Sequence, residues 1–228
     1  MQLRNIFSKK SKMKYFYKTE SNIDFVWKIS KNQNDPYKES ELLIEHFVNN
    51  VKQHVIYILE SEDDLKKWNL LTNYTEATIG TFDSNNTSID EQLGLLHKDP
   101  KFQTIYAYRH INHFNKIVPI EFSDSLGPIN VRALFTDILT LTKESYQKII
   151  DSCYTYFKSL WEVHEYYSET KLDTIDKFLP TIELNNITIN DNLENKEVTF
   201  YFRPSWDTEH GLYILFNFNT MECQVEEL

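Results

Sequence analysis

Residues 201–214 read YFRPSWDTEHGLYI, and the rest of the chain can be arranged around this stretch. On both sides of it, over residues 198–203 and 212–218, side chains alternate with a period of two. Such alternation is typical of strands with one buried face, so we predict two neighbouring antiparallel strands joined by a polar turn. The turn holds the candidate binding or structural motif of the chain: Trp206, Asp207, Glu209, His210 and Gly211.

Two interpretations of this turn stand side by side. A carboxylate beside a histidine can fix the tautomer of the ring and raise its basicity, as a general base requires. In the structural interpretation, Trp206 closes the end of the core and Asp207 accepts backbone N–H bonds. Gly211 would then take a positive φ before the next strand begins. Residue chemistry alone does not decide between the two.

Composition indicates a folded chain without a cofactor. The 228 residues are enough to bury a core, and a hydrophobic content of 41% with 14% aromatics excludes wholesale disorder. With four glycines, the chain has neither a P-loop nor a dinucleotide fingerprint. Cys153 and Cys223 lack metal-ligand spacing and are expected to be reduced thiols of a cytoplasmic protein. No apolar run reaches the roughly 20 residues of a membrane span, so no membrane association is expected.

Charge is distributed unevenly along the chain. Six Lys or Arg residues lie within the first twenty positions, and we predict residues 1–11 to be a basic flexible tail. Positions 21–228 contain 18 basic and 33 acidic residues, a net charge of −15. Such a field repels nucleic acid and favours basic protein partners, although acidity also maintains solubility.

Hydrophobic spacing in the first half predicts both strands and helices. Residues 15–17 and 23–29 form an opening hairpin in this prediction. A long amphipathic helix then runs from Asp35 to about Leu59, because apolar residues recur every three or four positions. Ser61 begins a second helix, residues 75–82 form a short strand, and Ser88 with Glu91 has the spacing of a capping box for another helix.

The second half gives clearer patterns. Residues 103–109 and 117–122 are predicted to be paired strands, and residues 131–139 fit either a strand or a short helix. The clearest helix covers residues 143–167, a shorter one covers residues 170–178, and a last strand lies near Cys223. We therefore predict an α+β fold, an antiparallel sheet with helices packed on one face. Residues 12–228 form one domain in this prediction, with subdomains 12–74 and 75–228 as the alternative.

A metal site can be assembled on paper from the histidines. His110 and His113 are three residues apart, and His210 with Asp207 or Glu209 would complete a histidine and carboxylate set. The alternative function is therefore a metal-assisted hydrolase that uses these residues. No H-E-x-x-H or cysteine-containing pattern accompanies them, and exposed or hydrogen-bonded histidines are the simpler interpretation.

The segment 206–212, WDTEHGL, resembles an uncharacterised bacterial domain family whose signature is W-D-x-E-H-G before a final apolar strand. The similarity extends back through the turn 126–128, the helix 143–167 and the strand 197–203, and covers residues 75–228. Members of this family resemble immunity proteins of polymorphic toxin systems, which are small acidic cytoplasmic proteins that neutralise a cognate toxin. The resemblance implies no enzyme activity, cofactor or catalytic residue.

The first functional hypothesis is therefore an immunity-type binding protein that neutralises a cognate toxin by direct contact. The acidic charge would speed the capture of a basic toxin such as a nuclease. Neither nucleic acid nor a membrane is an expected partner. The sequence does not indicate the oligomeric state.

Overall fold

The computed structural model describes residues 13–31, 41–59, 74–163, 172–207 and 210–226. The chain divides into two compact units, Met1–Lys98 and Asp99–Leu228. The predicted tail, residues 1–11, lies outside the described residues. The division at residue 74 stays a prediction.

The first unit contains an antiparallel five-stranded sheet. Its strands are β1 (Met13–Glu20), β2 (Ile23–Lys31), β3 (Glu41–Val48), β4 (Val51–Leu59) and β5 (Thr75–Ala77), in the spatial order β4-β3-β2-β1-β5. The opening hairpin is confirmed as β1 and β2, which pair from Met13 to Glu20. One buried cluster joins this sheet to a later hairpin and comprises Tyr15, Tyr17, Val26, Ala77, Ile89 and Leu95.

The long helix predicted to end near Leu59 is wrong, because β3 and β4 form a hairpin there. Asn49 and Asn50 make the turn, with φ values of 45° and 65°. Asparagine tolerates this left-handed conformation, which two-residue hairpin turns need. The apolar residues at 43, 47, 51 and 55 are four apart, and a spacing of four also keeps side chains on one face of a strand. The helix predicted from Ser61 lies outside the described residues.

The helix predicted from Ser88 is also wrong, and the segment forms a second hairpin. Its strands are β6 (Thr87–Asp90) and β7 (Gly94–Asp99). The carboxylate of Asp90 accepts the backbone N–H groups of Gln92 and Leu93 at 2.9 and 2.8 Å. These bonds stabilise a hairpin turn and do not begin a helix. The strand predicted over residues 75–82 is shorter than expected, since β5 ends at Ala77.

The second unit contains the remaining six strands. They are β8 (Thr104–Ile111), β9 (Lys116–Ser123), β10 (Ile182–Ile189), β11 (Glu197–Pro204), β12 (Leu212–Asn217) and β13 (Glu222–Glu226). They are neighbours in the order β13-β12-β11-β10-β9-β8, and their pairs are antiparallel except β9 with β10. The predicted strands that flank the polar turn, at residues 198–203 and 212–218, are confirmed. So are the predicted pair at residues 103–109 and 117–122 and the last strand near Cys223.

Three helices accompany these strands among the described residues: α1 (Gly127–Leu139), α2 (Lys143–Val163) and α3 (Ile175–Phe178). The segment left open between strand and helix is α1, with four buried apolar residues at helical spacing. The long predicted helix is confirmed as far as Val163, and α3 is shorter than predicted. The α+β prediction is thus confirmed as antiparallel sheets with helices.

Phenylalanine dominates the buried core of the second unit. Its largest fully buried side chains are Phe122, Phe135, Phe157, Phe178, Phe200, Phe202 and Phe216. Cys153 is buried and Cys223 is half-buried, and both are free thiols, as predicted. Within the described residues, no helix has the length and apolar character needed to cross a membrane.

Candidate functional site

Trp206, the first residue of the predicted motif, contacts the core of the second unit. Its ring lies 5.1 Å from the ring of Phe157 on α2, centroid to centroid, with the planes inclined at 55°. The side chain is half-buried, just after the buried Pro204 at the end of β11. This contact agrees with the structural interpretation, in which the indole packs at the end of the core.

Asp207 and His210 are neighbours within the turn. The carboxylate Oδ1 of Asp207 accepts the backbone N–H of His210 at 3.0 Å and lies 3.3 Å from its ring Nδ1. The backbone bond is the one that the structural interpretation predicts. The imidazole itself is 72% exposed, so water competes for it. Glu209 lies outside the described residues.

The structure gives Gly211 a different role from the one predicted. Its φ is not positive. Instead, a Cβ at this position would lie 1.8 Å from Cε2 of Tyr201. The glycine therefore allows the turn to approach an aromatic ring on β11, and that ring stacks on Tyr213 of β12 at 4.6 Å.

The histidines proposed as metal ligands have other contacts. The ring nitrogens of His110 lie 3.1 and 3.3 Å from the side-chain oxygens of Asn112 and Asn115. His113, in a short 3-10 helix after β8, stacks on Tyr146 at 5.4 Å. Across the part of the chain that the structure describes, no three His, Cys, Asp or Glu side chains are grouped to hold a metal ion. The geometry thus gives the hydrolase hypothesis no support.

The sheet of the second unit presents a set of half-buried tyrosines and polar side chains that the sequence analysis missed. They alternate along their strands with buried apolar residues, which places them on one face of the sheet. We call this set the tyrosine face: Tyr106, Tyr108, Glu121, Asn186, Thr188, Thr199, Tyr201 and Tyr213. Alternation in the single strands was visible from the sequence, but the order in which the strands pair was not.

Strand register brings these side chains together in two rows. In one row, Tyr106 is opposite Glu121, which is opposite Thr188 and then Thr199. In the other, Asn186 is opposite Tyr201, which is opposite Tyr213. Adjacent strands are about 4.8 Å apart, so each row forms a continuous surface.

Two adjoining depressions lie on the tyrosine face. The first, which we call the acidic groove, has a volume of about 370 Å³, and its lining includes Phe102, Glu121, Thr188 and Asp191. The second has about 300 Å³ and lies over Asn186, Thr188, Thr199, Tyr201 and Tyr213. No Lys, Arg or His of the described residues lines either depression.

Glu121 is the most perturbed acid of this surface. Burial raises the pKa of its carboxyl group, a hydrogen bond from the Asn186 amide opposes the shift, and the charge of Asp99 adds to it. The bond joins Asn186 Nδ2 to Glu121 Oε2 at 3.4 Å, the long end of the range. Asn186 Oδ1 is shielded from solvent and accepts no hydrogen bond in the described structure, which costs about 1–3 kcal/mol.

This arrangement is suited to binding. Half-buried tyrosines offer large contact areas with few rotatable bonds, and they occur often in protein interfaces. The ionised carboxylates of Glu121 and Asp191 accept hydrogen bonds but cannot donate them, and the Asn186 oxygen has no donor bonded to it. A ligand that carries hydrogen-bond donors and positive charge would complement them.

Comparison with known proteins places this whole surface within one family model. The family model described as Domain of unknown function (DUF6985) matches residues 92–226, which is more than half of the chain. The match includes the motif at residues 206–211 and the whole tyrosine face. No curated protein and no solved structure matched the chain. The chain therefore belongs to the family of the Domain of unknown function (DUF6985).

Proposed function

We propose that this chain is a cytoplasmic, immunity-type binding protein that neutralises a cognate toxin by direct contact through the tyrosine face. The observation that carries the proposal is the acidic groove. Its lining holds two carboxylates, the half-buried Glu121 and the exposed Asp191, and neither has a basic partner among the described residues. In a protein that acts alone, a carboxylate withdrawn from water, as Glu121 is, is usually paired. A partner that supplies the pairing charge explains why Glu121 is not.

The proposal requires one face of the sheet to be available, with the helices on the other. Contacts of the buried set support this arrangement. Arg109 follows Tyr108 on β8, so its side chain lies on the opposite face of the sheet. There its guanidinium lies 5.7 Å from the ring of Phe135 on α1. Phe200 and Phe202, which flank Tyr201 on β11, lie within 6.2 Å of the ring of Phe114, and the Phe114 ring lies 5.0 Å from the ring of Tyr146 on α2.

Net charge supports a basic partner. Residues 99–228 contain 20 acidic and 11 basic residues. An acidic field of this kind raises the encounter rate with a positively charged protein, and salt screens the effect over about 10 Å at 0.1 M. Toxins that act on nucleic acid carry positive charge where they bind phosphate, so a nuclease fits this description.

The test begins with the tagged protein in its host cell. Affinity capture at low and moderate salt, with mass spectrometry, should recover a basic, secretion-linked protein. The purified candidate should then lose its toxic activity on addition of one equivalent of this chain. We expect the association rate to fall as salt rises, and a rate independent of salt would contradict the electrostatic part.

Two matched lysine variants test which surface binds. Tyr213→Lys places a charge in the tyrosine face, whereas Thr155→Lys places it on an exposed position of α2. We expect the first to weaken toxin binding about tenfold or more and the second to change it by less than about twofold. The opposite order, in variants with unchanged urea midpoints, would refute the assignment of the tyrosine face.

A further inference from the structure

We propose that the acidic groove receives the planar guanidinium group of an arginine side chain that projects from the protein partner. The assignment rests on the proposed function only for the identity of that partner. The chemistry of the groove is a property of this chain and can be tested without the partner.

Charge selects a cation for this groove. Glu121 and Asp191 both line it, and neither forms an ion pair among the described residues. The ammonium group of Lys101 lies 4.9 Å from the ring centroid of Phe102 at the groove, where it makes a cation–π contact. Because Glu121 is partly withdrawn from water, an entering cation interacts with it more strongly than with an exposed carboxylate.

Hydrogen-bonding capacity selects a guanidinium among the cations. An ionised carboxylate only accepts, so the Asn186 amide turns its Nδ2 toward Glu121 and leaves its Oδ1 without a donor. A guanidinium donates two parallel N–H bonds to a carboxylate and has donors to spare. Once it has replaced the Asn186 bond to Glu121, the amide can turn its oxygen toward the remaining N–H groups.

Aromatic surfaces beside the groove favour the same group. Tyr201 is opposite Asn186 in the β-ladder, and its ring stacks on Tyr213 with the planes inclined at 29°. Phe102, which is 66% exposed, lines the groove. A guanidinium is planar, more weakly hydrated than an ammonium, and stacks on aromatic faces, so it loses less on entering a half-buried groove.

The experiment uses three small probes on the isotope-labelled full chain: the N-acetyl, N-methylamide derivatives of arginine, lysine and citrulline. Citrulline has nearly the shape of arginine but no charge. NMR would follow the side-chain amide of Asn186 and the carboxyl carbon of Glu121. We expect the arginine probe to bind about tenfold more tightly than citrulline, with lysine between them, and to lower the pKa of Glu121.

Two charge-matched variants locate the binding site. Glu121→Gln should weaken the binding of the arginine probe about tenfold. Glu144→Gln removes the same charge from an exposed residue of α2, and it should change binding by less than about twofold. Equal binding of arginine and citrulline, or an equal effect of both variants, would overturn the proposal.

The toxin assay separates this inference from the proposed function. If Glu121→Gln neutralises the toxin with wild-type affinity, the arginine assignment fails and the proposed function stands. If the arginine probe binds at Glu121 but the chain inhibits no captured toxin, the groove assignment stands and the proposed function fails.

Discussion

Replacing Gly211 with alanine tests whether the turn is built around the ring of Tyr201. The new Cβ would lie 1.8 Å from Cε2 of that ring, so the ring must move. The same ring stacks on Tyr213 at 4.6 Å, and losing such a pair costs about 0.5–1.5 kcal/mol. Overpacking usually costs about 1–3 kcal/mol, and the lower backbone entropy of alanine in the unfolded chain returns about 0.4–1 kcal/mol. We expect a net loss of about 1–2 kcal/mol.

The assay is urea unfolding of a double-mutant cycle with Tyr201→Ser. Without the ring, Gly211→Ala should cost nothing or stabilise the fold by a few tenths of a kcal/mol, because the backbone of Gly211 has no positive φ. The coupling between the two sites should therefore be at least about 1 kcal/mol. An equal loss in both backgrounds would refute the close-approach explanation and point to the backbone of the turn.

Two further predictions concern the thiols and His46, whose ring stacks on Trp27 at 4.1 Å. Iodoacetamide should modify Cys223 before Cys153, which is fully buried, and because burial raises the pKa of both thiols, the rate at Cys223 should rise from about pH 8 to about pH 10. Peptide mapping that finds Cys153 modified first would contradict this. Burial, and then the charge of His54, lower the pKa of His46, so the unfolded chain binds more protons just below the ordinary value of about 6.5. Stability should therefore fall as the pH drops from about 7 to about 5, and His46→Phe should reduce this slope in urea titrations; an unchanged slope would exclude His46 as its source.

Five of the six strands of the second unit could be predicted, because the alternation of apolar and polar residues in each of them fits a strand. The exception is β10 (Ile182–Ile189), for which no strand is predicted. From Val198 to Phe202 every second residue is apolar, and the buried residues are those apolar ones. The helix prediction for Leu43 to Val55 was wrong because an apolar spacing of four fits both a helix and a strand. What decides it is the Asn49–Asn50 turn, whose backbone bond from Asn49 N–H to the Asp24 oxygen depends on a neighbouring strand. Local periodicity does not contain that information.

The structural role of the turn at residues 206–211 can be deduced only partly from the sequence. The bond from His210 N–H to Asp207 follows from the short carboxylate side chain and a three-residue spacing, and it could be predicted. The close approach of Gly211 could not be, because it depends on a tyrosine ring ten residues earlier and on the register of β11 with β12. The positive φ predicted for Gly211 is wrong, and the close contact with Tyr201 that explains a glycine here is not visible in the sequence.

Glu121 and Asn186 illustrate the largest gap between sequence and site. They are 65 residues apart and meet because β9 and β10 pair in parallel, with Thr188 opposite Glu121. A parallel pair requires a long crossover, here the segment with α1, α2 and α3, so no short-range pattern can indicate it. Each residue alone reads as an ordinary outward-facing polar residue of a strand. Only their pairing withdraws a carboxylate from water and leaves an amide oxygen without a donor. A search for binding sites in this family should therefore compare the residues opposite each other on β9 and β10, rather than the turn at residues 206–211 alone.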